Sequence, residues 1–495
     1  MSNNLKFNCY DESNKGEGVL VIYTGGTIGS MPKDREDKSS PQVVISWSEF
    51  KKNTPQLSEK TLGFNVDAYT TQPLDSCNIG PKEWQEIAKV IAESYNKYFG
   101  FVLLHGTDTM VYTASALSFM LRNLGKPVIL TGAQVSHTFN VWNDSLMNMI
   151  GALNIANPKY TEIPIIPEVC IFFNGNLFRG NRTHKKDASS FYAYESPNYP
   201  KLAEYGESIV VHKKTIREIP KGDFYLKSSM NTHVVSVFFF PGIQDSKVLE
   251  NILSIPDLKG VVFLAYGAGN IPTQKNIMDL VKKTADKRII CFIVTQTGGG
   301  QTVLGMYDTS AKLIDAGAIS GVDILPETAL VKLMHILGDE DIKYEDAILD
   351  AQKSIAGEMS LSIYPSFVEN KGKISGEHKR ERIGGFTINN IGNSPETIDR
   401  VILRLKNGSV ETGSLDHLLI SIYRGLSSED ELNKANFVGT FRQIEIKEKT
   451  VLFYDITKNI RSVISNGRES FTVVLENDEG QIEWDGMELV IFIKE

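Results

Sequence analysis

The stretch Gly18–Gly29, GVLVIYTGGTIG, sets the reading of the fold. Val19 to Tyr23 is apolar at every position, the pattern of a strand buried on both faces of a parallel sheet rather than one with a wet side. Directly after it, Thr24-Gly25-Gly26-Thr27-Ile28-Gly29 forms a turn in which glycines bring backbone N–H groups close to a ligand and a hydroxyl sits at the strand end. The spacing is not that of a dinucleotide fingerprint, and a plain turn is an equally good reading of this motif alone.

The same pattern recurs outward from it. FVLLH (Phe101 to His105), PVILTGAQ, EVCIFFNGN, VVFLAYGAGN and IICFIVTQTGGG are short β-branched or aromatic runs ending in Gly, Thr or Asn. Between them lie helical patterns, clearest from Thr107 to Leu124, where Met110, Ala114, Leu117 and Leu121 recur and Gly125 and Pro127 form the stop. Alternating strands and helices predict an α/β fold with a mainly parallel sheet, whose ligands sit at the carboxyl ends of the strands.

Composition fits a chain of several domains: 495 residues, 41% apolar and 23% charged, with a net charge of −8. That charge gives no general reason to bind nucleic acid or an anionic membrane. Four scattered cysteines, Cys9, Cys77, Cys170 and Cys291, make neither a disulfide framework nor a CxxC metal site. The polar start lacks the basic and apolar regions of a secretory signal, and no apolar run approaches the roughly 18–20 residues that span a bilayer. The expectation is a cytoplasmic protein with no metal and no membrane partner.

Shifts in composition suggest boundaries. A larger α/β domain is expected over 17–210, a charged connector over 211–232, and a smaller α/β domain over 233–360. ENKGKISGEHKRER falls within an expected linker, 361–382, where Lys379, Arg380 and Arg382 read as solvated charges. From 383 to 495, alternating segments with Asn-Gly and Asp/Gly turns predict a β-rich extension, a sandwich being one arrangement that fits.

Two further clusters carry chemistry. His105-Gly106-Thr107-Asp108-Thr109 follows one strand and opens a helix, so Thr107 or Asp108 is either an N-cap or a site residue. Arg179-Gly180-Asn181-Arg182-Thr183-His184-Lys185-Lys186 follows another strand. A lysine beside Asp108 would lower the cost of deprotonating a threonine, whereas His184 reads as a surface or capping residue.

Taken in order, TGGTIG, LHGTDTM, KPVILTGAQ and RGNRTHK resemble the L-asparaginase family of the bacterial cytoplasmic type, over roughly Gly18 to Ser360. The resemblance implies a two-domain asparaginase-like fold and hydrolysis of L-asparagine without a cofactor. It matches Thr27 to the nucleophile, and Thr107, Asp108 and Lys185 to a hydrogen-bonded group at the scissile amide. Asp108 also matches the residue that holds the substrate's α-ammonium. Backbone N–H groups around Gly106 and Thr107 would stabilise the oxyanion. Asp75, Ser76 and Cys77 match the substrate loop, with Ser76 on the α-carboxylate and Cys77 in place of the usual Ser.

Asn270, in Tyr266-Gly267-Ala268-Gly269-Asn270, matches a loop that completes a neighbouring subunit's site, although a strand-end turn is an equal reading. A homodimer or homotetramer follows from the resemblance. The lid departs from the family, because no Tyr lies between Ser30 and Tyr69. Ser39 and Ser40 are substitutes to weigh against a merely solvated loop. Glutaminase, amidase acting on tRNA-linked amides and non-catalytic asparagine sensor remain alternatives; one methylene separates Asn from Gln, worth about 1–3 kcal/mol in a fitted pocket.

Overall fold

The computed structural model describes residues 16–494, leaving out 35, 38–39, 137–140, 246, 303, 305–307, 369–371, 376–378, 388–397, 407–408, 411–417, 425–436, 443–450, 457–459, 462–469, 478–480 and 485. Cys9 and Ser39 therefore lie outside the described residues. The chain divides into two compact units. The first comprises residues up to 303 with 316–347 and 355–358, and the second comprises 304–315, 348–354 and 359 onward.

In the first unit an eight-stranded sheet runs in the order Ile209–Val211, Ala203–Tyr205, Asn176–Arg179, Val169–Phe173, Val128–Thr131, Gly100–Leu104, Gly18–Gly25, Asn65–Leu74. The last five are mutually parallel, and the first three attach antiparallel. Alternate side chains of each central strand enter different cores. Leu20, Ile22, Phe101 and Leu103 pack with the helices Pro81–Ser94 and Met110–Met120. Val19, Val21, Val102 and Leu104 pack with Ser145–Ala156. Burial on both faces explains the unbroken apolar runs.

Helix Pro81–Ser94 starts with proline at its first position, and Gly80 N–H donates to Glu83 Oε2 at 2.8 Å. Trp84, Ile87, Ala88 and Ile91 form its buried stripe. A second, all-parallel sheet orders Val234–Phe238, Gly260–Ala265, Ile290–Thr295 and Ile319–Ser320. Within the expected connector, Tyr225–Leu226 pairs with Leu121–Arg122.

The second unit contains antiparallel sheets. One orders Leu361–Val368, Gly486–Lys494, Ile398–Lys406 and Val451–Asp455, and another orders Lys379–Thr387, Ser470–Asn477, Leu418–Arg424 and Phe437–Arg442. The expected linker at 361–382 thus holds strands: Leu361–Val368, Gly372–Ser375 and the start of Lys379–Thr387. Polar composition misleads there because backbone groups make the ladder, and Lys379, Arg380 and Arg382 pair with Asn477, Glu476 and Val474 whatever their charge.

Candidate active site

Parallel register brings the motif turns together. Tyr23 pairs with Leu104 and Leu104 with Thr131, so the segments after three neighbouring strands leave the sheet side by side. Gly26 has φ 82°, and a Cβ there would meet Gly106 Cα and N at 2.5 Å. The two glycine turns are therefore in direct contact. A Cβ on Gly106 would in turn meet Ser76 Oγ at 2.6 Å, which places the 75–77 loop against the same turn. Asp75 caps that loop, accepting from Cys77 N–H at 3.3 Å, and Thr109 Oγ1 donates to Ser76 O at 2.7 Å. Ser76 is buried and Cys77 exposed.

The hydroxyls after the first strand differ in their commitments. Thr24 Oγ1 donates to Leu104 O at 2.9 Å, tying two strands together. Thr27 opens a short 3₁₀ turn, Thr27–Gly29, and is half-buried. Beneath it the Tyr23 phenol bonds Ile45 O at 2.8 Å and Gly29 O at 3.2 Å, and burial pushes its pKa up. In the following segment Ser40 Oγ accepts from Asp34 N–H at 2.9 Å, so that hydroxyl serves its own loop.

Helix Met110–Met120 has Thr109 at its N-cap, so Thr107 and Asp108 are not spent as caps. Instead Lys185 Nζ donates to Thr107 Oγ1 at 2.8 Å and to Asp108 Oδ1 at 2.6 Å. The Lys185 side chain is only 13% exposed and Asp108's is 68% exposed, which gives the group one buried side and one facing solvent.

The RGNR turn aims Lys185. Arg179 pairs with Glu168, and Arg182 with Asp323 at 2.9 Å, all four side chains largely buried. Asn181 Nδ2 donates to Ala356 O. His184 and Lys185 then pair with Tyr194 and Glu195 in a two-residue ladder. His184 Nδ1 lies 2.7 Å from Glu327 Oε1, a contact that raises its pKa.

Residues that sequence reading left without a role also meet Thr107. The Tyr194 phenol donates to Thr107 O, and Thr107 Oγ1 lies 3.5 Å from Gln134 Oε1. Asp144 holds the Gln134 loop through the N–H groups of Gln134 and Val135. Gln134 stands in the quoted TGAQ segment and had that signal; Tyr194 had none. Asn270 closes the turn after Gly260–Ala265, bridged to Tyr266, at the second sheet. Among the described residues no group of three or more His, Cys, Asp or Glu is arranged to hold a metal, and no helix is long and apolar enough to cross a membrane.

The α/β fold and the Thr107–Lys185–Asp108 group are consistent with an amidohydrolase. The family described as asparaginase, N-terminal, matches residues 18–217, and the glutaminase/asparaginase C-terminal domain matches 233–346; the chain belongs to the asparaginase family. It is 37% identical to L-asparaginase 1 of Escherichia coli K12 over 333 residues, 66% of this chain and 93% of that protein. It is 41% identical to a mouse protein named 60 kDa lysophospholipase over 361 residues, 69% of this chain and 62% of that one, so the chain spans less than two thirds of that relative. The crystal structure of L-asparaginase I from Vibrio cholerae is similar with a TM-score of 0.61 and 35% identity, covering 70% of this chain and 99% of its own.

Proposed function

We propose that this chain hydrolyses L-asparagine to L-aspartate and ammonia through an acyl-enzyme on Thr27. The observation that carries the proposal is the Lys185 ammonium between Thr107 Oγ1 and Asp108 Oδ1, at 2.8 and 2.6 Å, beside a turn in contact with the Thr27 turn. Thr27 Oγ attacks the side-chain amide carbon, its proton passes through the Thr107–Lys185 group to the leaving nitrogen, and ammonia departs. Water, deprotonated by the same group, then attacks the ester and restores the Thr27 hydroxyl. The Thr107 N–H stabilises the oxyanion in both halves.

Ser76 holds the α-carboxylate and Asp108 the α-ammonium, with Asp75 and Cys77 shaping the loop and Gly106 allowing its close approach. Asn270 completes the site of a neighbouring copy in a homodimer or homotetramer, and the protein works in the cytoplasm. Relatives named as asparaginases support the substrate.

Ammonia release is measured with asparagine, glutamine and succinamic acid, alongside fatty-acid release from lysophosphatidylcholine. Turnover of asparagine, with succinamic acid poor because it lacks the α-ammonium, supports the reading. Lipid hydrolysis without ammonia release from asparagine overturns it.

A further inference from the structure

His105 follows the strand Gly100–Leu104 and is fully buried, yet both of its ring nitrogens are engaged. Nε2 lies 2.9 Å from Thr113 Oγ1, and Nδ1 lies 2.7 Å from Gly106 O. The direction of these bonds is set by Gly106 O, a carbonyl that can only accept and so takes the proton of Nδ1, while Trp84 Nε1 reaches Thr113 Oγ1 at 3.0 Å. Indole N–H is a donor only, so the Thr113 oxygen accepts from it and has one proton left to give. Burial pushes the His105 pKa down to about 4, so the ring is neutral near pH 7. A neutral ring with Nε2 accepting from Thr113 carries its proton on Nδ1, and Gly106 O, which can only accept, receives it.

That carbonyl shares a peptide plane with the Thr107 N–H. The described chain has no cis peptide bond, so the two groups point in opposite directions. Turning the carbonyl inward to the imidazole turns the N–H away from the core. Thr107 is 8% exposed, and among the described residues no acceptor meets its N–H. An orphan N–H at so buried a residue is rare in a folded chain and suits an oxygen brought by a ligand.

On the reading that this crevice hydrolyses amides, we propose that His105 is a positioning residue. Held in its Nδ1–H tautomer by the Gly106 carbonyl, with Thr113 donating to Nε2, it orients the Gly106–Thr107 peptide so that the Thr107 N–H faces the developing oxyanion. His105 touches no reacting atom. Its effect falls on the transition state, where negative charge appears, and only weakly on ground-state binding.

The test uses the full chain and the amide that the wild type turns over fastest. Losing one oxyanion donor costs about 10²–10³ in kcat, and a peptide left free to rotate loses part of that. His105→Leu and Thr113→Val are therefore expected to lower kcat about 10- to 100-fold with KM within about twofold, while His105→Asn, which keeps an N–H near the Nδ1 position, and Thr113→Ser recover most of the loss. Unchanged kcat in His105→Leu, or no recovery in either conservative variant, overturns the proposal.

Should the apolar variants fail to fold, nitrogen-15 NMR of histidine-labelled wild-type protein decides it. The expected spectrum shows His105 protonated at Nδ1 and bare at Nε2 at pH 7, and the opposite tautomer or an imidazolium overturns the proposal. The ring state does not depend on substrate, so it is read even if asparagine proves not to be hydrolysed.

Discussion

Lys185 and Tyr194 face one another across a two-residue antiparallel ladder, and both reach the same threonine. The Lys185 ammonium donates to Thr107 Oγ1, and the Tyr194 phenol donates to Thr107 O. One cross-strand pair thus orients the hydroxyl and the backbone of Thr107 together, and couples them to the RGNR turn that carries Lys185.

Replacing Lys185 with Met keeps the aliphatic stem but removes the charge and both hydrogen bonds. Turnover is expected to fall on the order of a hundredfold or more, the usual scale for losing an acid/base partner, with a smaller change in KM. Steady-state kinetics of the purified variant test this. Near-wild-type kcat would return Lys185 to a structural role and direct attention to Lys186.

The nucleophile assignment separates three threonines by their commitments. Thr24 donates to Leu104 O and Thr107 accepts from Lys185, whereas among the described residues the Thr27 hydroxyl meets no hydrogen-bond partner. Thr27→Ala is expected to abolish turnover and leave the thermal transition nearly unchanged, because a half-buried turn methyl adds little to either core. Acid quenching of the wild type during turnover, followed by peptide mass analysis, should find the aspartyl ester on Thr27. An ester on Thr107 instead would exclude the assignment.

Much of this was legible in the chain because the physics is local. Strands buried on both faces must be apolar throughout, and strand-end glycines are required where turns touch, as Gly26 and Gly106 do. Thr107, Asp108 and Lys185 stand in such turns. Tyr194 was not legible: its role comes from a ladder that pairs it with Lys185, and no spacing along the sequence predicts that contact. Likewise 361–382 read as a linker because its charges signal solvent, while the partners that make it strand lie far downstream, from Val474 opposite Arg382 to Lys494 opposite Leu361.

Gly106 offers a steric test of the substrate loop. An alanine Cβ there would lie 2.6 Å from Ser76 Oγ and 2.7 Å from Ser76 Cβ, so Ser76 must move. If Ser76 binds the α-carboxylate, Gly106→Ala should raise KM for asparagine about tenfold or more, the scale of a hydrogen bond to a charged group. Gly26→Ala should be more severe, because its Cβ meets backbone rather than a side chain and its φ of 82° is strained for alanine. The comparison requires KM, kcat and melting temperature for both variants; an unchanged KM in Gly106→Ala would remove Ser76 from the substrate.

Acid stability follows from two buried histidines. Burial holds His105 down to about 4, and burial with the nearby Arg122 and Lys227 charges holds His335 down to about 3, against about 6.5 for a free imidazole. Both rings fold neutral, so the unfolded chain takes up protons first as pH falls. Their contribution is fully present above about pH 6.5 and is lost progressively below it, until each folded ring also protonates near its own lowered value. For His105 alone the loss is on the order of 3 kcal/mol. His184 has the opposite sign: Glu327 raises its pKa, so its contribution is full in acid and fades as pH rises through that raised value. Melting temperature should therefore fall between pH 6.5 and 4. His335 stacks on Phe119 with centroids 6.0 Å apart, and His335→Leu fills much of that volume without a titrating group. The variant should lose less stability than the wild type over this interval, and parallel curves would show that His335 titrates alike in the folded and unfolded chains.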